Sequence, residues 1–315
     1  MTLLIFRECP RHRGDTHEYC YGVPSIHNSM VLRARPSLLL LGASFLRYIP
    51  RCFGSAISPE HGFSMALLNE NENGESSSTS KQCKNIYFVR HAEGIHNRDS
   101  REIPNFENTL SLTEHYRDAP LTEKGIQQSK ILSKDVASLA VPPELVVVSP
   151  LRRAIHTAQL AFRPSESNTT RNDALSPPFL ATELARERIS VHTCDWRRPR
   201  SAITADFPFV DMSMVATEDD EMWERKEMTP HEYSSIECSA RAALLLDWLL
   251  ERREHTIAVV AHWVFYTHLF GLFVDREGSI GEAAALQSKF GNAEMRKVRL
   301  CSSAPPAGGS GAGEL

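Results

Sequence analysis

Ile86-Tyr-Phe-Val-Arg-His-Ala-Glu-Gly-Ile-His-Asn97 is the stretch on which the fold turns. Its first four residues are β-branched or aromatic without a polar break, the pattern of a strand buried on both faces of a parallel sheet. From Arg90 onward the chain is abruptly charged. The same change occurs twice more: Leu145-Val-Val-Val148 runs into Ser149-Pro-Leu-Arg152-Arg153-Ala-Ile-His156-Thr157-Ala158, and Ile257-Ala-Val-Val260 runs into Ala261-His262-Trp263. Helical patterns lie between and after these runs. Spacing predicts helices over 154–162 and 264–273, a helix capped by Thr122 with Leu132, Val136 and Leu139 on one stripe, and another over 240–253. Alternating strands and helices imply an α/β fold with helices on both faces of a mostly parallel sheet. Ligands of such sheets sit at the carboxyl ends of the strands. At those ends two histidines and up to three arginines would converge beside helix N-termini, whose free N–H groups favour an anion. A dianionic phosphoryl group suits that chemistry.

Outside this unit the composition changes. Residues 70 to 84 contain almost nothing apolar and read as a disordered linker, and residues 301 to 315 read as a flexible Gly/Ser/Pro tail. Between Glu18 and Glu60 there is no acidic residue, while Arg33, Arg35, Arg47 and Arg51 punctuate Ser, Ala and Leu. That stretch fits an organellar transit peptide or an unstructured extension, and both readings stand. The organisation expected is therefore an extension over 1–84, a folded domain over 85–300 and a tail over 301–315. The location is cytoplasmic, or organellar if the leader is real.

The whole chain has 315 residues, with 39 acidic against 35 basic side chains and a formal charge of −4, which argues against a protein that binds nucleic acid by bulk phosphate attraction. The longest apolar run falls well short of the ~20 residues that cross a bilayer, so no membrane partner is expected. Seven scattered cysteines without a C-x-x-C pair suggest neither a disulfide framework nor a cysteine-rich zinc site, and a reducing compartment is the default. Asn168-Thr-Thr170 fits a glycosylation acceptor, although a polar loop explains it as well. A metal site on His91, Glu93 and His96 lacks the i,i+4 His pair of a helical zinc site and would face neighbouring arginines. No metal and no cofactor are expected.

Four motifs in order carry a family resemblance. Val89-Arg90-His91-Ala92-Glu93 with Asn97, Asp118-Ala-Pro-Leu121-Thr122-Glu-Lys-Gly125, Ser149-Pro-Leu-Arg-Arg153-Ala-x-x-Thr157-Ala and Val260-Ala-His262 resemble the histidine phosphatase superfamily, in its phosphoglycerate mutase-like branch. Further on, Arg186-Glu187 to Arg197-Arg198 and Phe290-Gly-Asn292-Ala-Glu294-Met-Arg296 look like the phosphoglycerate mutase-like proteins of plants and fungi. The resemblance implies a three-layer α-β-α sandwich and a metal-free phosphoryl transfer. His91 would be the nucleophile that forms a phosphohistidine. Arg90, Arg153 and His262 would hold the phosphoryl oxygens, with Asn97 as a further phosphate contact. Of the arginine pair, the motif selects Arg153 and leaves Arg152 to solvent. The proton donor matches Glu187, with Glu183 as the fallback. Ala92 and Trp263 stand where the family carries glycine; the indole could wall the pocket.

The same core serves phosphatases and mutases. A mutase needs a second anion-binding group, which the arginines at 186, 188, 197, 198 and 200 could supply unless they form a solvated basic loop. The expected activity is a phosphomonoester phosphatase acting on a small phosphorylated metabolite. The alternatives are a phosphoglycerate mutase-type transferase and a non-catalytic binder of phosphorylated ligands.

Overall fold

The continuous apolar runs are realised as buried strands of a seven-stranded sheet. The computed structural model describes residues 63–67, 83–108, 110–163, 176–225, 231–273, 286 and 288–302, all within the unit Ala56–Leu315. The strands are β1 (Phe63–Leu67), β2 (Cys83–Arg90), β3 (Leu145–Val148), β4 (Phe179–Thr182), β5 (Val210–Met214), β6 (Thr256–Ala261) and β7 (Met295–Ser302), ordered β1-β7-β2-β6-β3-β4-β5 in space. From β2 across to β5 every neighbouring pair is parallel; β7 runs antiparallel to β2, and β1 antiparallel to β7. The helices are α1 (Ile95–Glu102), α2 (Glu123–Ala137), α3 (Arg152–Phe162), α4 (Arg200–Asp206), α5 (Glu221–Arg225), α6 (His231–Glu251) and α7 (Trp263–Gly271).

Strand periodicity of two assigns the layers. Ile86 and Phe88 of β2 join one buried cluster with Leu245 and Leu249 of α6 and Phe265 and Leu269 of α7. Tyr87 and Val89 join another with Leu132 of α2, Ile155 and Ala158 of α3 and Ile203 of α4. The expected three-layer α-β-α sandwich is the result, each fully buried aliphatic or aromatic side chain stabilising it by ~1.5–3 kcal/mol. Among the described residues no helix is long and apolar enough to cross a membrane.

The stretch Asp118–Gly125 acts as a splint beside the sheet. Asp118, at φ 48°, is buried and accepts the Arg152 backbone N–H through Oδ1 at 2.7 Å, capping the first turn of α3. Thr122 caps α2 by accepting the Gly125 N–H at 3.0 Å, and its own N–H donates to the Glu93 carbonyl at 2.9 Å. Gly125 packs so closely that a Cβ would lie 2.1 Å from the Glu93 carbonyl oxygen.

Two expectations change. The sheet draws on residues upstream of 85: Phe63–Leu67 pairs with β7 from inside the stretch read as an extension, and β7 itself runs to Ser302. A five-residue strand gives little periodicity to read. Second, the cysteines are not all free. Cys83 and Cys301 oppose each other in the β2/β7 ladder and form a disulfide across 218 residues of sequence, so only the strand register reveals them as a pair. Cys194 and Cys238 are free and buried. Residues 1–62, 68–82 and 303–315 and the Asn168-Thr-Thr170 acceptor lie outside the described residues.

Gly125→Ala should lower stability by about 1–3 kcal/mol through forced displacement of the Glu93 loop, whereas Gly271→Ala, whose added methyl meets nothing within 4 Å, should be neutral or slightly stabilising. Paired thermal melts check this; equal melting temperatures for the two variants would contradict the close approach.

Candidate active site

Parallel register brings the three polar strand ends together. The ladder continues one residue past the strands: His91 N–H donates to the Ala261 carbonyl at 2.9 Å and Ser149 N–H to Val260 at 3.0 Å. His91, His262 and Ser149 therefore emerge side by side. The rings of His91 and His262 lie 5.0 Å apart by centroid, and His262 Nε2 is 2.8 Å from Ser149 Oγ. The last loop braces this end of β2. Asn292 Nδ2 donates to the His91 carbonyl at 3.1 Å, Arg90 donates to the Phe290 carbonyl through Nη1 at 2.7 Å, and Arg90 N–H donates to Glu294 at 3.1 Å. Ala92 donates its N–H to Thr157 Oγ1 at 2.9 Å and is not among the non-glycine residues with positive φ, so its methyl is accommodated.

A hydrogen bond fixes the tautomer of His91. Nδ1 lies 2.7 Å from the Ala92 carbonyl, which can only accept, so Nδ1 carries the proton and Nε2 keeps its lone pair. That lone pair meets Arg153 Nε at 3.3 Å. Burial, reinforced by the charges of Arg153 and Arg90, holds the His91 imidazole well below its ordinary value and keeps it neutral. His262 and His96 are likewise held low, first by burial and then by Arg153. Three nitrogens around this centre, Arg90 Nε, His96 Nδ1 and His262 Nδ1, are buried without a hydrogen-bond partner. Burial brings the Arg90 guanidinium down to about 10.

The arginine pair divides as the motif implied, although Arg152 is not simply exposed. Arg153 is buried, its Nη1 on the Cys194 carbonyl at 2.5 Å and its Nη2 on Asp195 Oδ1 at 2.8 Å. Arg152 is half-buried and spends its Nε on the Asp118 carbonyl at 3.3 Å.

The two carboxylate candidates differ more sharply. Glu183 bridges Arg186 at 2.8 Å and Arg197 at 2.7 Å. Glu187 instead accepts the Phe265 N–H at 2.7 Å and the Val264 N–H at 3.3 Å, at the N-terminus of α7 one turn from His262. Burial, and secondly Asp195, raises the Glu187 carboxyl above its ordinary range despite those donors. A buried acid with a raised pKa beside cationic groups is suited to proton donation.

Several side chains take roles different from those read in the sequence. Arg186 and Arg197 form neither a solvated loop nor an anion site: both are fully buried, Arg186 on Asp220 and Glu183, Arg197 on Glu183 and the carbonyls of 217–219. Arg198 pairs with Asp118 and Asp206, and Arg200 with Glu218. Arg188 donates to Ser235 Oγ at 3.4 Å. Asn97 accepts the Gly94 N–H through Oδ1 at 3.0 Å, closing the first turn of α1. Glu93 is a structural hub, bonded to Thr122, Arg101 and Lys124. Trp263 is half-buried and packs against the core cluster of α6 and α7. His96, weighed from the sequence only as a metal ligand, lies 5.8 Å from His91 by ring centroid, and Asp195, given no role of its own in the sequence, binds Arg153; both belong to the site.

The profile of the histidine phosphatase superfamily (branch 1) matches residues 86–176. A phosphoglycerate mutase-like protein of Arabidopsis thaliana is 37% identical over 213 residues, covering 61% of this chain and 75% of that protein. Phosphoglycerate mutase-like protein 1 of the same plant is 34% identical over 238 residues, covering 69% and 81%. Among solved structures, the ecdysone phosphate phosphatase from Bombix mori in complex with tungstate is 14% identical with a TM-score of 0.43, covering 74% of this chain and 97% of that chain.

The buried neutral imidazoles set the pH dependence of folding. His91, His96 and His262 are depressed below 6.5, and His268 is brought to about 4 by burial. Below pH ~6.5 the unfolded chain takes up protons that the folded chain refuses, so their contribution is complete above that pH and is lost as pH falls. Each group steepens the loss by up to about 1.4 kcal/mol per pH unit, opposed in part by the raised Glu187. Denaturant unfolding at pH 7, 6 and 5 should show falling stability; a flat profile would contradict the neutral cluster.

Proposed function

The chain belongs to the histidine phosphatase superfamily, and we propose that within it the protein is a phosphomonoester phosphatase that works through a phosphohistidine on His91 without a metal. The observation that carries this reading is the unprotonated Nε2 of a neutral, buried His91, its lone pair engaged only by Arg153 Nε at 3.3 Å among the described residues, with the unpartnered nitrogens of Arg90 and His262 beside it. Leaving buried donors unpaired costs free energy that a phosphoryl dianion would recover by accepting from them. In the first step Nε2 attacks phosphorus, the P–O bond to the alcohol breaks, and Glu187 gives its proton to the leaving oxygen. In the second step the Glu187 carboxylate takes a proton from water, whose oxygen attacks phosphorus; the P–N bond breaks, its electron pair returns to His91 Nε2, and phosphate leaves. Arg90, Arg153 and His262 meet charge on the non-bridging oxygens throughout, as fixed cations and dipoles of the fold.

Arginine usage favours a phosphatase over a mutase. Of the five arginines that could meet a second anion, Arg186, Arg197, Arg198 and Arg200 are each paired with carboxylates of the chain, while Arg188 donates to Ser235 Oγ and keeps a buried Nε without a partner. Fixed positive charge from Arg90 and Arg153 also supplies what a metal would otherwise supply, and Glu93 is already bound by Thr122, Arg101 and Lys124. The substrate proposed is a small phosphorylated metabolite.

A panel of phosphomonoesters assayed with and without 2,3-bisphosphoglycerate, in chelator, tests the reading. Hydrolysis independent of both is expected, with inhibition by vanadate; a strict requirement for 2,3-bisphosphoglycerate and transfer between hydroxyls of one substrate would establish the mutase instead. His91→Ala should abolish turnover. Arg153→Lys should cost on the order of 10³-fold, since lysine lacks the planar fork, and Arg152→Lys less than tenfold. Glu187→Gln should slow alkyl phosphates by about 10²–10⁴-fold and p-nitrophenyl phosphate far less, because nitrophenolate leaves without a proton. Equal losses on both substrates would remove Glu187 as the acid.

A further inference from the structure

Arg153 reaches His91 already gripped from behind. Its Nη2 donates to Asp195 Oδ1 at 2.8 Å and its Nη1 to the Cys194 carbonyl at 2.5 Å, which leaves Nε to meet His91 Nε2 at 3.3 Å. The ion pair is almost wholly buried, at 1% and 7% side-chain exposure. The short turn Thr193–Asp195 that presents the carboxylate is itself anchored: Thr193 Oγ1 donates to the Ser111 carbonyl at 3.0 Å, and Arg186 Nη2 donates to the Asp195 carbonyl at 2.5 Å. Arg186 in turn is fixed by Glu183 and Asp220. A chain of buried contacts thus runs from the 186–220 region to the nucleophile.

We propose that Asp195 is a positioning residue for phosphoryl transfer: by gripping the Arg153 fork from behind it holds that guanidinium with Nε toward His91 Nε2. This rests on the phosphatase reading of the site. Two features of the pocket support it. A guanidinium buried without a counter-charge is expensive and would reorient toward any carbonyl in reach; the carboxylate at 2.8 Å defines one orientation, with Nε toward the nucleophile. Second, the electrostatics of Glu187 are set from several elements. Asp195 and the Cys194 thiol face it from the 193–195 turn, Arg153 from α3, Arg90 from β2, Cys238 and Arg241 from α6, and Tyr266 from α7. The arginines favour the carboxylate form. Burial, and then Asp195, oppose them and raise the carboxyl above its ordinary range. Arg241 contributes by backbone contact, holding the Glu187 carbonyl through Nη2 at 3.0 Å.

Asp195→Asn and Asp195→Ala separate the grip from the charge. The amide oxygen of Asn can still accept from Arg153 Nη2, so KM for an alkyl phosphate should stay within about threefold. The lost charge should move the alkaline limb of the kcat/KM profile, which reports the acid in the free enzyme, to lower pH by at least half a unit. Asp195→Ala releases the fork and should lower kcat by about 10²-fold. A profile for Asp195→Asn that superimposes on the parent overturns the proposal, as does Asp195→Ala with parental kcat per folded molecule. If Asp195→Ala does not fold, the Asn profile decides alone. His91→Ala serves as the reference: an active His91→Ala defeats the phosphatase reading itself, whereas an inactive one beside an unshifted Asp195→Asn profile defeats this inference only.

Discussion

Everything at the catalytic end depends on β6 lying between β2 and β3. It is laid down last of the parallel strands, more than a hundred residues after β3, yet its ladder supplies the carbonyls that take the N–H groups of His91 and Ser149. Parallel pairing places strand ends level, and level ends are what bring His91, His262 and Ser149 within hydrogen-bonding or ring-contact distance. An antiparallel insertion would send His262 to the far edge of the sheet. The chain thus commits to a long-range pairing before any catalytic geometry exists, the kind of contact whose loop-closure entropy slows folding.

Around that end the protein keeps an unusual amount of charge out of water. Arg153, Arg186 and Arg197 are among its largest fully buried side chains, each on a carboxylate. Buried pairs contribute little net stability, but deleting one partner costs about 3–5 kcal/mol because the other is stranded. Their use here is orientation. Glutamates and aspartates fix the direction of each guanidinium fork, so that the cations nearest the nucleophile need not reorganise when charge develops on a transferring group.

The fold was legible because β2, β3 and β6 are apolar on both faces and each is cut off by a polar or charged residue, a signal that local physics alone produces. The capping role of Thr122 was also local and readable. For the site, resemblance named His91, Arg153, His262 and Glu187, and the structure gathers them at one end of the sheet; Asn97 is there too, closing a helical turn. The features that escaped are non-local. Asp195 gains its place only through a side chain in α3, forty-two residues back. The buried arginines could be read as an anion site or as a solvated loop, and neither holds for Arg186 and Arg197, because sequence shows charge and not its partners. Cys83 and Cys301 looked unrelated because strand register, not spacing, pairs them.

That register has a topological consequence. Phe63 pairs with Ser302, and Cys83 with Cys301, so the chain enters and leaves the sheet at adjoining points. Both points lie at the amino end of β2, and eight residue steps at ~3.3 Å each separate that pole from His91 by about 26 Å. The catalytic unit is in effect a closed ring with its seam on the back. A circular permutant joined across that seam, from Ser302 to Phe63, would leave undisturbed the parallel ladder that aligns His91, Ser149 and His262.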